Sequence, residues 1–105
     1  MVMERHLDLL EKSQELTKNV TTATAEVAPV NKMRSSCILC NDSDTILYLG
    51  FGRDAVLHQG CRLNAAGGSY EINATNMFRG YITAIHDGVG DKVLIITEVE
   101  GYAAQ

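Results

Sequence analysis

Apolar positions follow two different rhythms along this chain. Over residues 1–18 they recur at helical intervals: Leu7 and Leu10 stand three apart, and Val2, Leu9 and Leu16 form a ladder of seven. The stretch is built from good helix formers without Gly or Pro, and Lys18-Asn19 supplies a stop. The pattern predicts a helical arm over 1–18. A helix this short is marginal in water by itself, so its apolar side chains must be buried against something. Leu7, Leu9, Leu10 and Leu16 are therefore the candidate interaction residues. Their target is the chain's own body, a sister subunit or another protein.

After Asn19 the rhythm shortens to that of strands. Residues 20–27 are rich in Thr and Val and predict a strand, and Pro29 and Asn31 then mark a loop. Further strands are expected at 34–41, 45–51, 60–63, 69–72, 80–86 and 92–99, with a short edge piece at 56–57. Between them lie turn signals such as Asp42-Ser43-Asp44, Ala65-Ala-Gly-Gly68 and Asp87-Gly-Val-Gly-Asp91. About seven short strands at this spacing, with no helical pattern between them, predict an antiparallel β-sandwich or barrel. The fold class is thus all-β with an N-terminal helical arm. It divides into an arm (1–18), a strand and linker (19–33) and a β body (34–105). A body that small rarely supplies more than about 3–5 kcal/mol unaided, so a homodimer or homotrimer is expected to share its buried surface.

Composition narrows the partners. The chain has 105 residues and a net charge of −4. Residues 1–35 hold five basic and five acidic side chains, whereas 36–105 hold four and eight, so the charge belongs to the body. An acidic body argues against coating nucleic acid. No apolar run reaches the length of a membrane span, and the charged start MVMERHLDLLEK does not read as a secretion signal. Nucleic acid and membrane are therefore not expected among the partners. Three cysteines without such a signal read as free thiols.

Candidate chemistry is sparse. Cys37-Ile-Leu-Cys40 and His58-Gln-Gly-Cys61 have the spacing of a zinc ribbon. Ile38-Leu39 lies in a strand-like run, however, where positions three apart face opposite ways. The thiols are read instead as small apolar filler, and no metal or cofactor is expected. His86-Asp87 at a strand end reads as a hydrogen-bonded turn rather than a catalytic dyad. Gly50-Phe-Gly-Arg-Asp54 lacks the Gly-Lys-Ser/Thr ending of a phosphate loop and reads as a hairpin exit. Asp42, Asp44, Asp87 and Asp91 read as turn residues, since no calcium-loop motif contains them. No catalytic residue emerges, and the chain is not expected to be an enzyme.

One pattern of strands and corners is distinctive. Arg34 opens the run Ser-Ser-Cys-Ile-Leu-Cys, which ends in Asn41-Asp-Ser43, and Tyr48-Leu-Gly-Phe51 follows. Then come Gly60-Cys-Arg-Leu-Asn-Ala-Ala-Gly-Gly68, Gly80-Tyr-Ile-Thr-Ala-Ile85 and a closing run that ends in Thr97-Glu98. Residues 34–99 thereby resemble small β-sandwich virion proteins of tailed bacteriophages, which include head decoration (cement) proteins and head-fibre bases. The resemblance implies a structural, non-enzymatic protein on the capsid exterior. It would be made in the host cytoplasm, bind the major capsid protein and clamp neighbouring coat subunits. A tail, neck or fibre-anchoring role is the alternative, and a small ligand-binding sandwich is another. Residues 1–33 lie outside the resemblance.

Overall fold

The computed structural model describes residues 13–101. It contains β1 (Ser13–Val20), β2 (Ala25–Ala28), β3 (Arg34–Asn41), β4 (Leu47–Phe51), β5 (Cys61–Leu63), β6 (Ser69–Ile72), β7 (Ile82–Ile85) and β8 (Lys92–Glu100). There is no helix among the described residues. The strands form two four-stranded sheets, ordered β1-β8-β3-β6 and β2-β7-β4-β5, and every pairing is antiparallel.

Alternation along the strands explains the core. On β8, Leu94, Ile96 and Glu98 are buried, while Val93, Ile95, Thr97 and Val99 face the other way and are half-covered. On β3, Cys37, Leu39 and Asn41 point inward while Ile38 and Cys40 point out. Leu49 and Ala84 pair across β4 and β7 and face the same interior. Inward residues of both sheets join in one hydrophobic cluster that includes Leu39, Ile72, Leu94, Leu47, Leu63 and Ile82.

The helix expected over 1–18 is not seen. Residues 13–18 lie in β1, and residues 1–12, with Leu7, Leu9 and Leu10, are outside the described residues. The physical reason is that helix propensity is a weak preference, whereas β8 offers a long edge. Eight successive residues of β1 pair with it, from Ser13↔Val99 to Val20↔Lys92. That pairing satisfies main-chain groups along the strand and lets Leu16 and Val20 reach the core, which an isolated helix of this length could not match.

Two other expectations shift. The strand read at 20–27 is interrupted by a bend at 21–24, so its ends belong to β1 and β2 in different sheets. Residues 56–57 lie in a loop rather than an edge strand.

Candidate functional site

The residues of possible chemical interest are spread over the fold and mostly spent on holding it. Cys37 faces the core of the first sheet, Cys40 its outer side, and Cys61 sits on β5 in the second sheet; all three are free thiols. Strand parity therefore separates Cys37 from Cys40, and no group of three metal-ligating side chains gathers among the described residues. Burial pushes the Cys37 thiol up to about 11, with Glu98 adding to the shift and Arg34 opposing it. Burial also raises Cys61. Thiols held protonated in this way are poor nucleophiles.

The most heavily bonded polar group is Arg34. A bulge between Arg34 and Ser36 breaks the alternation of β3 and turns the side chain inward. Fully buried, its Nε donates to Glu98 Oε2 at 2.5 Å, and its other nitrogens donate to the carbonyls of Phe78, Gly80 and Pro29. Asn31 Nδ2 donates to the second Glu98 oxygen at 3.1 Å and to Glu100 at 2.8 Å. One guanidinium thus pins the 29–31 and 78–80 loops to the end of the first sheet.

At the opposite end of β3, buried Asn41 donates to the carbonyls of Thr45 (2.8 Å) and Leu63 (3.0 Å) and accepts from the Ser43 hydroxyl (2.7 Å). The Ala66-Gly67-Gly68 corner returns to the same turn through main-chain bonds with Ser43 and Asn41. His86, also fully buried, accepts from the Gly88 N–H at Nδ1, so Nε2–H donates to the Gly90 carbonyl. Both ring nitrogens serve the 87–91 turn, as a strand-end bond would. Asp44 serves its turn likewise. Bonds from Lys92 and Thr45 hold the exposed Asp44 carboxyl below its usual range.

The two sheets present unlike outer faces. On the second, Tyr48, Gly50 and Thr83 face outward yet are buried, because the 52–60 loop folds back over them. Thr83 Oγ1 donates to the Arg53 carbonyl at 2.6 Å, and the Ala55 N–H donates to Thr24 Oγ1 at 2.8 Å. The Tyr48 hydroxyl lies 2.9 Å from His58 Nδ1, and His58 Nε2 is 3.8 Å from Asp87. Gly50 is required here: a Cβ would stand 2.6 Å from Thr83 Oγ1 and 2.8 Å from the Arg53 carbonyl. Beside the loop is a concavity of about 240 Å³ lined by Phe51, Arg53, Asp54, Val56 and Gln59 among others. Ligand pockets run from about 300 to 1,000 Å³, so this one is small.

The first sheet has no such cover among the described residues. Val93, Ile95 and Val99 of β8 and Ile38 and Cys40 of β3 form an apolar stripe along its middle. Register places Ile95 beside Cys40 and Thr97 beside Ile38. Thr97 interrupts it between Ile95 and Val99, and Ser36, Thr17, Ser69, Glu15 and Glu71 border it. Ile38 is 43% exposed. A central strand that is apolar on both faces is the pattern of a sheet buried on both sides. Leu16, the one expected interaction residue within the described part, faces the other way and packs against the core. Sequence reading concentrated on leucines of the arm and passed over this stripe, although the unbroken run Val93-Leu-Ile-Ile96 already signalled it.

Comparison with protein-family models, with curated proteins and with solved structures gives no match for this chain.

Proposed function

We propose that the two sheets pack as a β-sandwich and that the chain is a structural virion protein. It decorates the exterior of a tailed-phage head and clamps neighbouring subunits of the major capsid protein. The observation that carries this reading is the outer face of the first sheet: an apolar stripe rimmed by hydroxyl and carboxylate groups on a rigid support. Such a face suits protein–protein contact, with an apolar centre and a polar rim. The resemblance of residues 34–99 to decoration proteins and head-fibre bases points the same way. Its motif residues Arg34, Asn41 and Gly68 are the ones that fix the ends and corners of the fold. A capsid lattice repeats each site beside another, so modest contacts by linked copies add through effective concentration.

The decisive experiment is the copy number of this chain in purified virions of the phage that encodes it, by quantitative mass spectrometry and cryo-EM. A number commensurate with the coat subunits is the expected result. A number matching a single tail or neck ring would instead assign it to the tail, neck or fibre anchor. Absence from virions would overturn the reading.

A further inference from the structure

We propose that β1 is a homodimerisation edge: β1 pairs antiparallel with β1 of a second copy, about a two-fold axis at Leu16. Among the described residues each sheet has two edges, and the four differ sharply. β5 has three residues, β6 has four, and β2 has four with a register break at Glu26/Ala28 and Pro29 just beyond. β1 has eight residues in unbroken register with β8, without Pro, Gly or bulge. In an antiparallel ladder, alternate residues turn their N–H and C=O groups away from the existing neighbour. Among the described residues only β8 pairs with β1, so its outer side is a long row of main-chain donors and acceptors, which is a template for another strand.

Symmetry and side chains choose the partner and the register. A two-fold axis perpendicular to the sheet keeps both cores on the same side, so the residue numbers of each facing pair must sum to an even value. Centring on Leu16 sets the two Leu16 side chains together above the joined cores. It also pairs Gln14 with Lys18, Glu15 with Thr17, and Ser13 with Asn19. No like charges face each other, and the two lysines are kept apart. Shifting the centre to Thr17 would instead oppose Leu16 to Lys18, an apolar residue against an ammonium. The strand is thus self-complementary in one register, as an isologous contact requires. The product is one eight-stranded sheet. Its two apolar stripes lie on the same side, which doubles the width of the exposed face. The inference stands independently of the virion reading.

Sedimentation equilibrium on the full chain tests it. The wild-type chain should be a dimer at micromolar concentration. Thr17→Lys places an ammonium opposite Glu15 of the partner subunit twice per dimer and should tighten association by about two- to thirtyfold. Glu15→Lys combined with Thr17→Lys sets like charges there and should loosen it by a similar factor. Both residues are exposed, so the melting curves of the variants should overlay that of the wild type at a concentration where all are monomeric. A gain of affinity in the single variant cannot come from misfolding. A monomer at tens of micromolar, a trimer, or a dimer indifferent to both variants overturns the proposal. So does a dimer that is lost on Ile38→Lys but unmoved by the β1 variants, since the contact is then the sheet's outer face.

Discussion

Arg34 and Glu98 left water together, and everything around them offsets that cost. Their charges meet at 2.5 Å with side chains 0% and 3% exposed; three carbonyls accept from the other guanidinium nitrogens, and Asn31 donates to the second Glu98 oxygen. Removing one partner would strand the other charge. Arg34→Ala or Glu98→Gln should therefore destabilise the protein by about 3–5 kcal/mol in urea titrations, with Arg34→Met/Glu98→Leu recovering much of the loss. Cys37 gives a pH-dependent prediction. Its thiol is raised from 9.0 to about 11 by burial, so between these values the unfolded chain has released a proton that the native chain retains. Stability from this group is thus complete below pH 9 and declines as pH climbs to about 11. Over that interval the wild type should lose roughly 2–3 kcal/mol more than Cys37→Val. Denaturation midpoints at pH 8 and pH 11 check it.

At the level of elements, residues 13–18 take strand rather than the expected helix. Leu, Glu, Lys and Gln dominate residues 7–18, and their propensity and spacing are those of a helix. The competing edge of β8 was invisible there, because a strand partner some eighty residues away leaves no mark on local periodicity. A deletion experiment separates the parts. Removing 1–12 leaves β1 whole and should preserve a cooperative melt. Removing 1–18 strips six of the eight β1 residues, together with Leu16 from the core margin. The longer deletion should cost on the order of 2–4 kcal/mol more, read from the two melting curves. The 52–60 loop raises the same point. Its role as cover for Tyr48, Gly50 and Thr83 comes from where β7 places Thr83, not from any loop motif.

For the whole molecule, the contrast between a capped second sheet and a first sheet uncovered by the described residues predicts where partners attach. Ile38 is exposed on the open face, so Ile38→Lys should change folding stability by no more than about 0.5 kcal/mol. If that face meets the coat, the same change should weaken binding to undecorated heads by about tenfold or more. Cosedimentation with particles, read beside a melting curve, checks both.

The sequence by itself determined that the chain is β-rich and antiparallel, where β3, β6 and β8 run, and which turns carry Asp, Asn and Gly. Those features rest on alternation and turn chemistry within a few residues of each position. It also separated Cys37 from Cys40, because parity along one strand is a local property. Only the tertiary structure decided that 13–20 is a strand, since an edge strand is chosen by its neighbour. The inward turn of Arg34 had to wait as well, because the bulge at Ser35 exists only against the register of β8. The open face belongs to the same class. Val93 and Ile95 read as ordinary strand residues until the order of the sheets shows which side each one faces and what covers it.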